Sequence, residues 1–504
     1  MKTAATSLFI VILIWLCVIA EALAQIEWTE PVQLTDSIYF MDVRAAMQGS
    51  TIHVVGGVAP IKFYYVRSTD DGITWSRPIT PASADTFEGC SGPDIIYSSS
   101  KVHLAWKGNL AGMIDRDQVY HISSSDDGET WSAPHRVFNR DFDFPLMKYP
   151  RIAAIGDTLF ISCRVADFTN SYLLSFRSFD AGVTWRDSVV ADPEAWGLDD
   201  HHAMFCSRGT VHLIYRMAIL DSTAYEIFHR KSTDLGATWS QRTMISEFDD
   251  QHGQSPSAYA DTLGDIFAAW EDDRYGSRCG MLTAEILNRS STDNGQTWLP
   301  EGRITYTQTA LQPACFVLAS TFHITWSDYL WHSCERGKVT YSFSTDWGQT
   351  WCEPRLISNG DPIGDRSSVI IGKALQDTII LLCFWDRDGD PGTDLYYVRG
   401  QYIQTSISEG DDGEIPEGII LSAYPNPFNS SVSITYNFHS RKGREIGIYN
   451  VEGQLIKSFA VDGKEGKIYW DATDASGKKV SSGPYFARTG APQSSSTLKL
   501  FYIK

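Results

Sequence analysis

The sequence has little positive charge: its 504 residues carry 42 Lys and Arg against 61 Asp and Glu, a formal net charge of −19. No Lys- or Arg-rich block interrupts this acidic composition, so binding of nucleic acid or of anionic membrane surfaces through basic patches is not expected. Long apolar helical periods are also scarce, whereas Gly (39), Tyr (23) and Trp (16) are abundant. This composition excludes helical bundles and doubly wound sheets, and it favours short strands joined by tight turns.

Cysteine pairs with C-x-x-C spacing are absent, so zinc or thioredoxin-like chemistry has no support. We predict neither a metal nor a cofactor. Beyond Cys17 there are eight cysteines, an even number that permits disulfides in an exported chain, although most lie in apolar strand patterns that suit buried thiols equally well. They are Cys90, Cys163, Cys206, Cys279, Cys315, Cys334, Cys352 and Cys383.

An apolar run of membrane-spanning character is confined to the N-terminus. Lys2 precedes the apolar residues 8–20, and Ala22-Leu23-Ala24 has the small-x-small pattern of a cleavage site. The charge of Glu21 ends the run too early for a membrane anchor. We therefore predict a signal peptide at residues 1–24 and a mature chain that is secreted or attached to the cell surface.

One eight-residue pattern, S-x-D-x-G-x-T-W, occurs six times. Its aspartates are 56, 54, 54, 59 and 53 residues apart, which is the length of a four-stranded propeller blade with generous loops. We expect each aspartate to accept hydrogen bonds within its own turn, so these are structural rather than catalytic carboxylates. They are Asp70, Asp126, Asp180, Asp234, Asp293 and Asp346.

Apolar strands recur upstream of every copy of the pattern, and a seventh strand copy at residues 379–386 has no pattern after it. Residues 27–35 resemble the segments that follow the patterns, so they can supply the missing outer strand and close a ring. The 378 residues from 25 to 402 divide into seven repeats of 54, close to the observed spacing. The predicted fold is therefore all-β: a seven-bladed β-propeller over residues 25–402, with six blades as the alternative.

Four histidines occupy the same register in separate repeats, which indicates a shared packing role rather than a metal cluster. They are His53, His103, His212 and His323. His201 and His202 begin an inner strand after Asp199-Asp200 and are better candidates for a functional site.

The repeated pattern resembles the Asp-box, or bacterial neuraminidase repeat, of the sialidase superfamily of β-propellers, and the resemblance covers residues 25–402. It implies an arginine triad for a substrate carboxylate, a tyrosine nucleophile with a glutamate partner, and an aspartate acid/base. The first family arginine corresponds to Arg44, and Tyr149-Pro150-Arg151-Ile152 is a closer likeness to its motif. Where the family aspartate is expected, this chain has Val55-Gly56-Gly57.

Propeller geometry places the hairpins between the second and third strands on the face opposite the repeated turns. These hairpins are rich in carboxylates, arginines and aromatics, a composition that suits sugar recognition or hydrolysis but is also common in turns. The candidate catalytic residues are Asp272, Asp273 and Asp386, and the candidate substrate-binding residues are Arg44, Arg151, Arg216 and Arg274. Further hairpin candidates are Asp167, Asp328, Trp331 and His332, and the candidate nucleophile pair is Tyr215 with Glu226.

A second module follows an acidic linker at residues 403–418. Its Y-P-N-P-F-N opening at Tyr424 and its D-x-x-G-x-x-V-x-S-G-x-Y-F turn resemble the type A sorting domain of the type IX secretion system. The alternating pattern of residues 419–504 suits a small immunoglobulin-like β-sandwich. The resemblance implies passage across the outer membrane through the secretion machinery, and a plain spacer is the alternative.

Together these features predict an exported, sialidase-like propeller that engages a glycan or glycoprotein and can hydrolyse glycosidic bonds. The alternative is a non-catalytic propeller that binds carbohydrate or protein. Three arginines converging in one pocket beside a Tyr–Glu pair would favour the enzyme, whereas scattered arginines would favour binding. We expect no nucleic-acid partner and a monomeric chain.

Overall fold

The structure is a computed structural model of the full chain. The described residues are 26–38, 40–58, 62–81, 87–110, 118–138, 146–166, 171–186, 188–193, 202–219, 222, 224–262, 264–275, 284–318, 321–328, 337–358, 365–375, 378–388, 393–403, 420–424, 428, 430–437, 444–450, 454–461, 465–489 and 497–502.

The chain divides into two compact units, residues 1–405 and 406–504, and the described parts of both contain strands and no helix. No helix long and apolar enough to cross a membrane occurs in these parts of the chain. The strands of the first unit are β1 (Glu27–Trp28), β2 (Val32–Gln33), β3 (Arg44–Gln48), β4 (Thr51–Val58), β5 (Lys62–Ser68), β6 (Phe87–Ser98), β7 (Lys101–Leu110), β8 (Gln118–Ser124), β9 (His135–Arg136), β10 (Leu146–Ile155), β11 (Thr158–Ala166), β12 (Ser171–Ser178), β13 (Val189–Asp192), β14 (His202–Ser207), β15 (Thr210–Ala218), β16 (Tyr225–Ser232), β17 (Thr243–Met244), β18 (Gly253–Ala260), β19 (Ile266–Asp272), β20 (Glu285–Ser291), β21 (Gly302–Arg303), β22 (Ala310–Leu318), β23 (Thr321–Asp328), β24 (Lys338–Ser344), β25 (Arg355–Leu356), β26 (Asp365–Ala374), β27 (Thr378–Asp388) and β28 (Thr393–Ile403).

These strands form antiparallel sheets in which sequential strands are neighbours. Five sheets have four strands each, in the orders β6-β7-β8-β9, β10-β11-β12-β13, β14-β15-β16-β17, β18-β19-β20-β21 and β22-β23-β24-β25. A three-stranded sheet, β3-β4-β5, precedes them, and an isolated bridge between Tyr65 and Ile79 extends it. The four-stranded sheets are of the kind that forms propeller blades, so the all-β, propeller-type prediction is confirmed at this level.

The last sheet joins the two ends of the first unit. It has the order β1-β28-β27-β26, with β2 also paired to β28. Trp28 lies opposite Gly400, where a Cβ atom would come within 2.9 Å of the Trp28 ring, so only glycine fits this close contact. The N-terminal strands therefore cover the outer edge of β28 and leave no open edge there.

The first strands of the sheets lie at the centre of the unit. Each contacts the first strand of the next sheet, in the order β3, β6, β10, β14, β18, β22, β26 and back to β3. The chain leaves each first strand outward through the second and third strands. We call the side on which second and third strands are joined, and on which the first strands begin, the hairpin face.

The S-x-D-x-G-x-T-W segments lie on the opposite side and share one turn geometry. In the first, the Asp70 carboxylate accepts hydrogen bonds from the Thr74 amide (2.8 Å) and the Thr74 hydroxyl (2.6 Å), while the Ser68 hydroxyl accepts one from the Gly72 amide (2.9 Å). Asp71 and Gly72 both have positive φ, the backbone conformation that glycine adopts most readily. The Thr74 hydrogen bonds hold the pKa of Asp70 at about 2.

The tryptophan that ends each turn packs against the preceding sheet. Trp131 lies 5.2 Å from Tyr65, Trp185 lies 5.4 Å from His121, and Trp298 lies 5.2 Å from His229, measured between ring centres. Trp75 makes the same contact with Tyr397 of the last sheet, at 5.1 Å. Each turn therefore links its sheet to the previous one.

The four histidines of shared register lie in these contacts between sheets. His53 Nδ1 is 2.7 Å from the Tyr65 hydroxyl, and His323 Nδ1 is 2.8 Å from the Tyr341 hydroxyl. His103 and His212 bond in the same way to His121 and His229. All four side chains are buried, and they pack in the core at four separate sheets.

The second unit contains two antiparallel sheets, β29-β30-β33 and β32-β31-β34-β35. Its strands are β29 (Ile420–Tyr424), β30 (Val432–Asn437), β31 (Arg444–Tyr449), β32 (Leu455–Val461), β33 (Glu465–Trp470), β34 (Gly483–Thr489) and β35 (Thr497–Tyr502). Buried residues of both sheets, including Ile434, Ile446, Trp470 and Tyr485, form one apolar core.

Candidate functional site

A cavity of about 320 Å³ lies where the first strands of all the sheets in the ring meet. Each of these strands contributes to its lining, so the cavity occupies the centre of the first unit. Five of the lining residues carry the chemistry relevant to a ligand: Asp42, Arg44, Asp94, Arg151 and Asp386.

Irregular backbone directs several side chains into this cavity. Asp42, Gly92, Tyr149, Ser255 and Gln312 have positive φ, and each lies two residues before a lining residue of its strand. The pairing of first and second strands shifts register at the last four of these places. β-bulges of this kind change the direction of a side chain, and here they repeat around the ring.

Arg44 and Asp94 come from adjacent sheets, and their side chains lie close together in the lining of the cavity. Arg44 Nε is 3.9 Å from Asp94 Oδ1, and Arg44 Nη1 donates to the Val43 carbonyl oxygen at 2.8 Å. The side chain of Arg44 is 23% exposed, so solvent reaches part of it. A partly exposed arginine offers the paired donors that carboxylates and vicinal hydroxyls accept.

Asp94 also forms a hydrogen bond with the first strand of the third sheet, β10. Its Oδ2 accepts a hydrogen bond from the Ile152 amide at 2.9 Å, next to Arg151. Asp94 was not among the residues predicted from the sequence. Gly92-Pro93-Asp94-Ile95 repeats the pattern of Tyr149-Pro150-Arg151-Ile152, and this x-Pro-x-Ile likeness was the signal that could have identified it.

Arg151 is only 7% exposed, although it lines the cavity. Its Nη1 donates to the Pro150 carbonyl oxygen (3.0 Å) and its Nε to the His202 carbonyl oxygen (3.2 Å). Burial, together with the nearby positive charge of Arg44, lowers the pKa of Arg151 to about 10. Both arginines line the same cavity, and an anionic ligand there would lessen the repulsion between their charges.

His202 and Asp386 are two further polar residues of the lining. His202 Nε2 is 2.8 Å from the Ser162 hydroxyl, and both side chains are buried. Asp386 is also buried and reaches the cavity from β27, beside the first strand of the last sheet. The structure thus brings Arg44, Arg151 and Asp386 together at one cavity.

The other predicted site residues lie elsewhere. Arg274 binds three carboxylates: Asp272 through two bonds of 2.8 Å, Asp249 at 2.6 Å and Glu301 at 2.7 Å. These ion pairs raise the pKa of Arg274 against the effect of burial. The guanidinium of Arg274 therefore binds carboxylates of the protein and not a ligand in the cavity.

Asp273 and Arg216 also make contacts outside the cavity lining. Asp273 Oδ1 accepts a hydrogen bond from the His252 amide at 2.7 Å. Arg216 Nη1 donates to Gln254 Oε1 at 3.1 Å, and its guanidinium carbon lies 4.3 Å from the centre of the Tyr225 ring.

Tyr215 and Glu226 have different partners and do not pair with each other. The fully buried Tyr215 hydroxyl donates to Asp192, and burial raises the pKa of Tyr215. Glu226 accepts a hydrogen bond from the Ser246 hydroxyl, and burial raises the pKa of Glu226 to about 7. Neither residue lines the cavity.

Several predicted features lie outside the described residues. They are the signal peptide at 1–24, Asp167, Asp199, Asp200, His201, Cys279, Trp331, His332, Cys334 and residues 404–418 of the linker. The other six cysteines are free thiols. Where the chain is described, no group of three or more His, Cys, Asp or Glu side chains is placed to hold a metal ion.

Comparison with protein families identifies the C-terminal region. Residues 422–504 match the family model described as "Secretion system C-terminal sorting domain". This region is a type IX sorting domain. The domain directs proteins through the outer membrane, so the chain is exported to the cell surface or secreted.

Several solved structures with a similar fold are of carbohydrate-active proteins. Polysaccharide lyase Uly1 is 8% identical, with 75% of this chain and 100% of that chain covered and a TM-score of 0.51. An ulvan lyase of family PL25, bound to -[GlcA(1-4)Rha3S]-, is 11% identical, with coverage of 73% and 95% and a TM-score of 0.50. The Hadza microbial sialidase Hz136 is 15% identical, with coverage of 74% and 67% and a TM-score of 0.41. At this identity the first two similarities show the fold alone, and no curated protein matches the chain.

Proposed function

We propose that this exported protein binds glycans in the central cavity of a β-propeller. The observation that carries the proposal is the meeting of Arg44, Asp94, Arg151 and Asp386 from different sheets in one cavity on the propeller axis. Guanidinium and carboxylate groups together bind the hydroxyls and acidic groups of sugars. The carbohydrate-active proteins of similar fold support this choice of ligand.

The proposal includes the architecture. We infer a seven-bladed Asp-box propeller over residues 25–402, a linker at 403–418 and an immunoglobulin-like sorting domain at 419–504. The cyclic contacts of the first strands and the pairing of β1 with β28 support seven blades over six.

Binding without sialidase-type turnover is favoured by the distribution of the arginines. Arg44 and Arg151 line the cavity, whereas Arg216 and Arg274 bind other residues of the protein. No Tyr–Glu pair occurs in the described lining of the cavity. The second candidate function is glycoside hydrolysis, which the cavity carboxylates Asp42, Asp94 and Asp386 favour, because glycosidases act through paired carboxylates.

The ligand class is tested by probing a printed array of acidic and neutral oligosaccharides with the mature wild-type protein and with Arg44→Ala. We expect the variant to bind array ligands about tenfold more weakly or worse, because a charge-assisted pair of hydrogen bonds is lost. Arg77→Ala, which removes an exposed arginine outside the cavity lining, is the matched control and should bind like wild type. Equal binding by wild type and Arg44→Ala would refute the cavity as the binding site.

Hydrolysis is tested with a panel of chromogenic glycosides. If the second candidate is right, wild type releases the chromophore, and Asp94→Asn and Asp386→Asn abolish release while circular dichroism shows intact folding. Array binding without release from any glycoside would leave binding as the function.

The sorting role is tested by deletion of residues 419–504. We expect the truncated protein to remain inside the cell, because the sorting domain directs its passage through the outer membrane. The propeller should keep its unfolding temperature in cell extracts, since the two units are separately compact. Unchanged secretion of the truncated chain would contradict the role.

A further inference from the structure

An exposed tyrosine lies on the hairpin face, outside the central cavity. Tyr306, in the segment between β21 and β22, is 71% exposed, and the nearby Tyr275 is 38% exposed. Both rings contact one guanidinium: the central carbon of Arg303 is 3.8 Å from the centre of the Tyr275 ring and 4.4 Å from that of Tyr306. These three residues form what we call the tyrosine platform.

Buried groups hold Arg303 in place. Its Nη2 is 3.1 Å from Oε1 of the fully buried Glu285, and its Nε donates to the Thr305 carbonyl oxygen at 2.8 Å. The Thr305 hydroxyl donates to the other oxygen of Glu285. A ring resting on a fixed guanidinium loses little conformational freedom on binding, so the platform is preorganised.

The segment that carries the platform is fixed and leads into the cavity. Gln308 donates through its side chain to the Tyr275 carbonyl oxygen (2.9 Å) and through its amide to Glu285 Oε1 (2.5 Å). Gln312, four residues further on, lines the cavity. Gln312 lies six positions after Tyr306, with five residues between them, so their backbones are at most about 20 Å apart.

Other arginine–tyrosine contacts in the unit differ in exposure. Arg216 with Tyr225 and Arg387 with Tyr396 have similar spacing, 4.3 and 4.2 Å, but both tyrosine rings are only partly exposed. In the described part of the chain, Arg303 Nη1 makes no hydrogen bond. Tyr306 therefore combines an open aromatic face with a nearby cationic donor.

We propose that the tyrosine platform is a second sugar-binding site, which stacks a further ring of a glycan chain whose other end occupies the central cavity. The C–H face of a pyranose ring is apolar and packs on an aromatic ring, while its hydroxyls accept hydrogen bonds from a guanidinium. This inference rests on the proposed function and adds that the protein recognises oligosaccharides long enough to reach from the cavity to Tyr306.

The test uses the full mature chain on a printed array in which each acidic and neutral oligosaccharide is present at graded lengths from one to eight sugars. Wild type is compared with Tyr306→Ala, Tyr306→Phe and Tyr469→Ala. Tyr469 is the matched control because it is 68% exposed and lies in the sorting domain. We expect Tyr306→Ala to bind the long members about tenfold more weakly than wild type and the shortest members as wild type does. Tyr306→Phe keeps the aromatic ring and should bind the long members as wild type does.

The other outcomes separate the two proposals. If Tyr306→Ala binds every length as wild type does, the platform is overturned and the cavity proposal stands. An equal loss at every length also overturns the platform as a separate site. If wild type binds no array member, the proposed function fails, and the platform fails with it.

Discussion

Individual residues in this protein divide into those that hold the sheets together and those that face the cavity. The histidines of shared register belong to the first group, because their imidazoles are buried against a tyrosine or a second histidine. Their recurrence in the sequence predicted this packing role. The sequence could not distinguish arginines that line the cavity from arginines that bind other residues of the protein. Arg274, for example, forms ion pairs with Asp272, two residues away, and with Glu301, and this network is visible only in the structure.

Buried histidines make the fold sensitive to mild acid. Burial lowers the pKa of His53, His103 and His212 to about 4 and that of His323 to about 3. Their contribution to stability is complete above the unfolded pKa near 6.5 and is lost as the pH falls towards 4. Burial raises the pKa of Glu226 to about 7 and that of Asp265 to about 6, and it also raises the pKa values of Asp249 and Glu301, so these four carboxyls act in the opposite direction. They are fewer than the six histidines of the described chain whose pKa burial lowers, which include His121 and His229.

We therefore expect the free energy of unfolding to fall between pH 7 and pH 4.5, by on the order of 2 kcal/mol for each histidine before the opposing carboxyls are counted. Urea unfolding at a series of pH values measures this slope. His323→Gln should be less stable at pH 7 but should have a shallower slope. An unfolding free energy that does not change across this range would contradict the assignment of neutral, buried histidines.

At the scale of the strand, irregular backbone determines which side chains reach the cavity. Arg44 and Arg151 could be predicted because their segments resemble a family motif. Asp94 was missed although Gly92-Pro93-Asp94-Ile95 repeats the pattern around Arg151, because only the structure shows that a left-handed glycine and a bulge place it opposite Arg44. The Gly56-Gly57 pair was interpreted as the absence of an aspartate. In the structure Gly56 makes room for Phe40 and Met41 before β3, and Gly57 makes room for Lys62 and Phe63 of β5.

Gly56 tests this role. A Cβ atom there would lie 2.4 Å from Phe40 Cε1 and 2.8 Å from the Met41 carbonyl oxygen. Gly56→Ala should therefore displace Phe40, cost about 1–3 kcal/mol of stability and weaken glycan binding through Asp42 and Arg44. Urea unfolding and array binding measure both effects.

Gly156→Asn is the control, because Gly156 lies in an open turn with positive φ that asparagine tolerates. It should leave the stability close to that of wild type and the binding unchanged. If Gly56→Ala were as stable as wild type and bound as well, Phe40 would not position the Arg44 segment.

At the scale of the whole molecule, the spacing of the repeats was the main basis for predicting the architecture of the first unit. Six turns at a regular interval, with a seventh strand group and a matching N-terminal segment, predicted how the chain ends pair, and β1 and β2 do pair with β28. The sequence could not indicate that each turn tryptophan packs on the preceding sheet, because that contact joins residues about 60 positions apart or more. The sorting domain was recognisable because its motifs are local.

The central claim is that a sugar occupies the middle of the ring, and hydrogen–deuterium exchange tests it most directly. The mature protein is measured with and without the acidic oligosaccharide that binds it best on the array. We predict slower exchange in β3, β6 and β10, which carry Arg44, Asp94 and Arg151, and unchanged exchange in the sorting domain. Protection confined to the outer strands or to the sorting domain, with β3, β6 and β10 unchanged, would contradict the account.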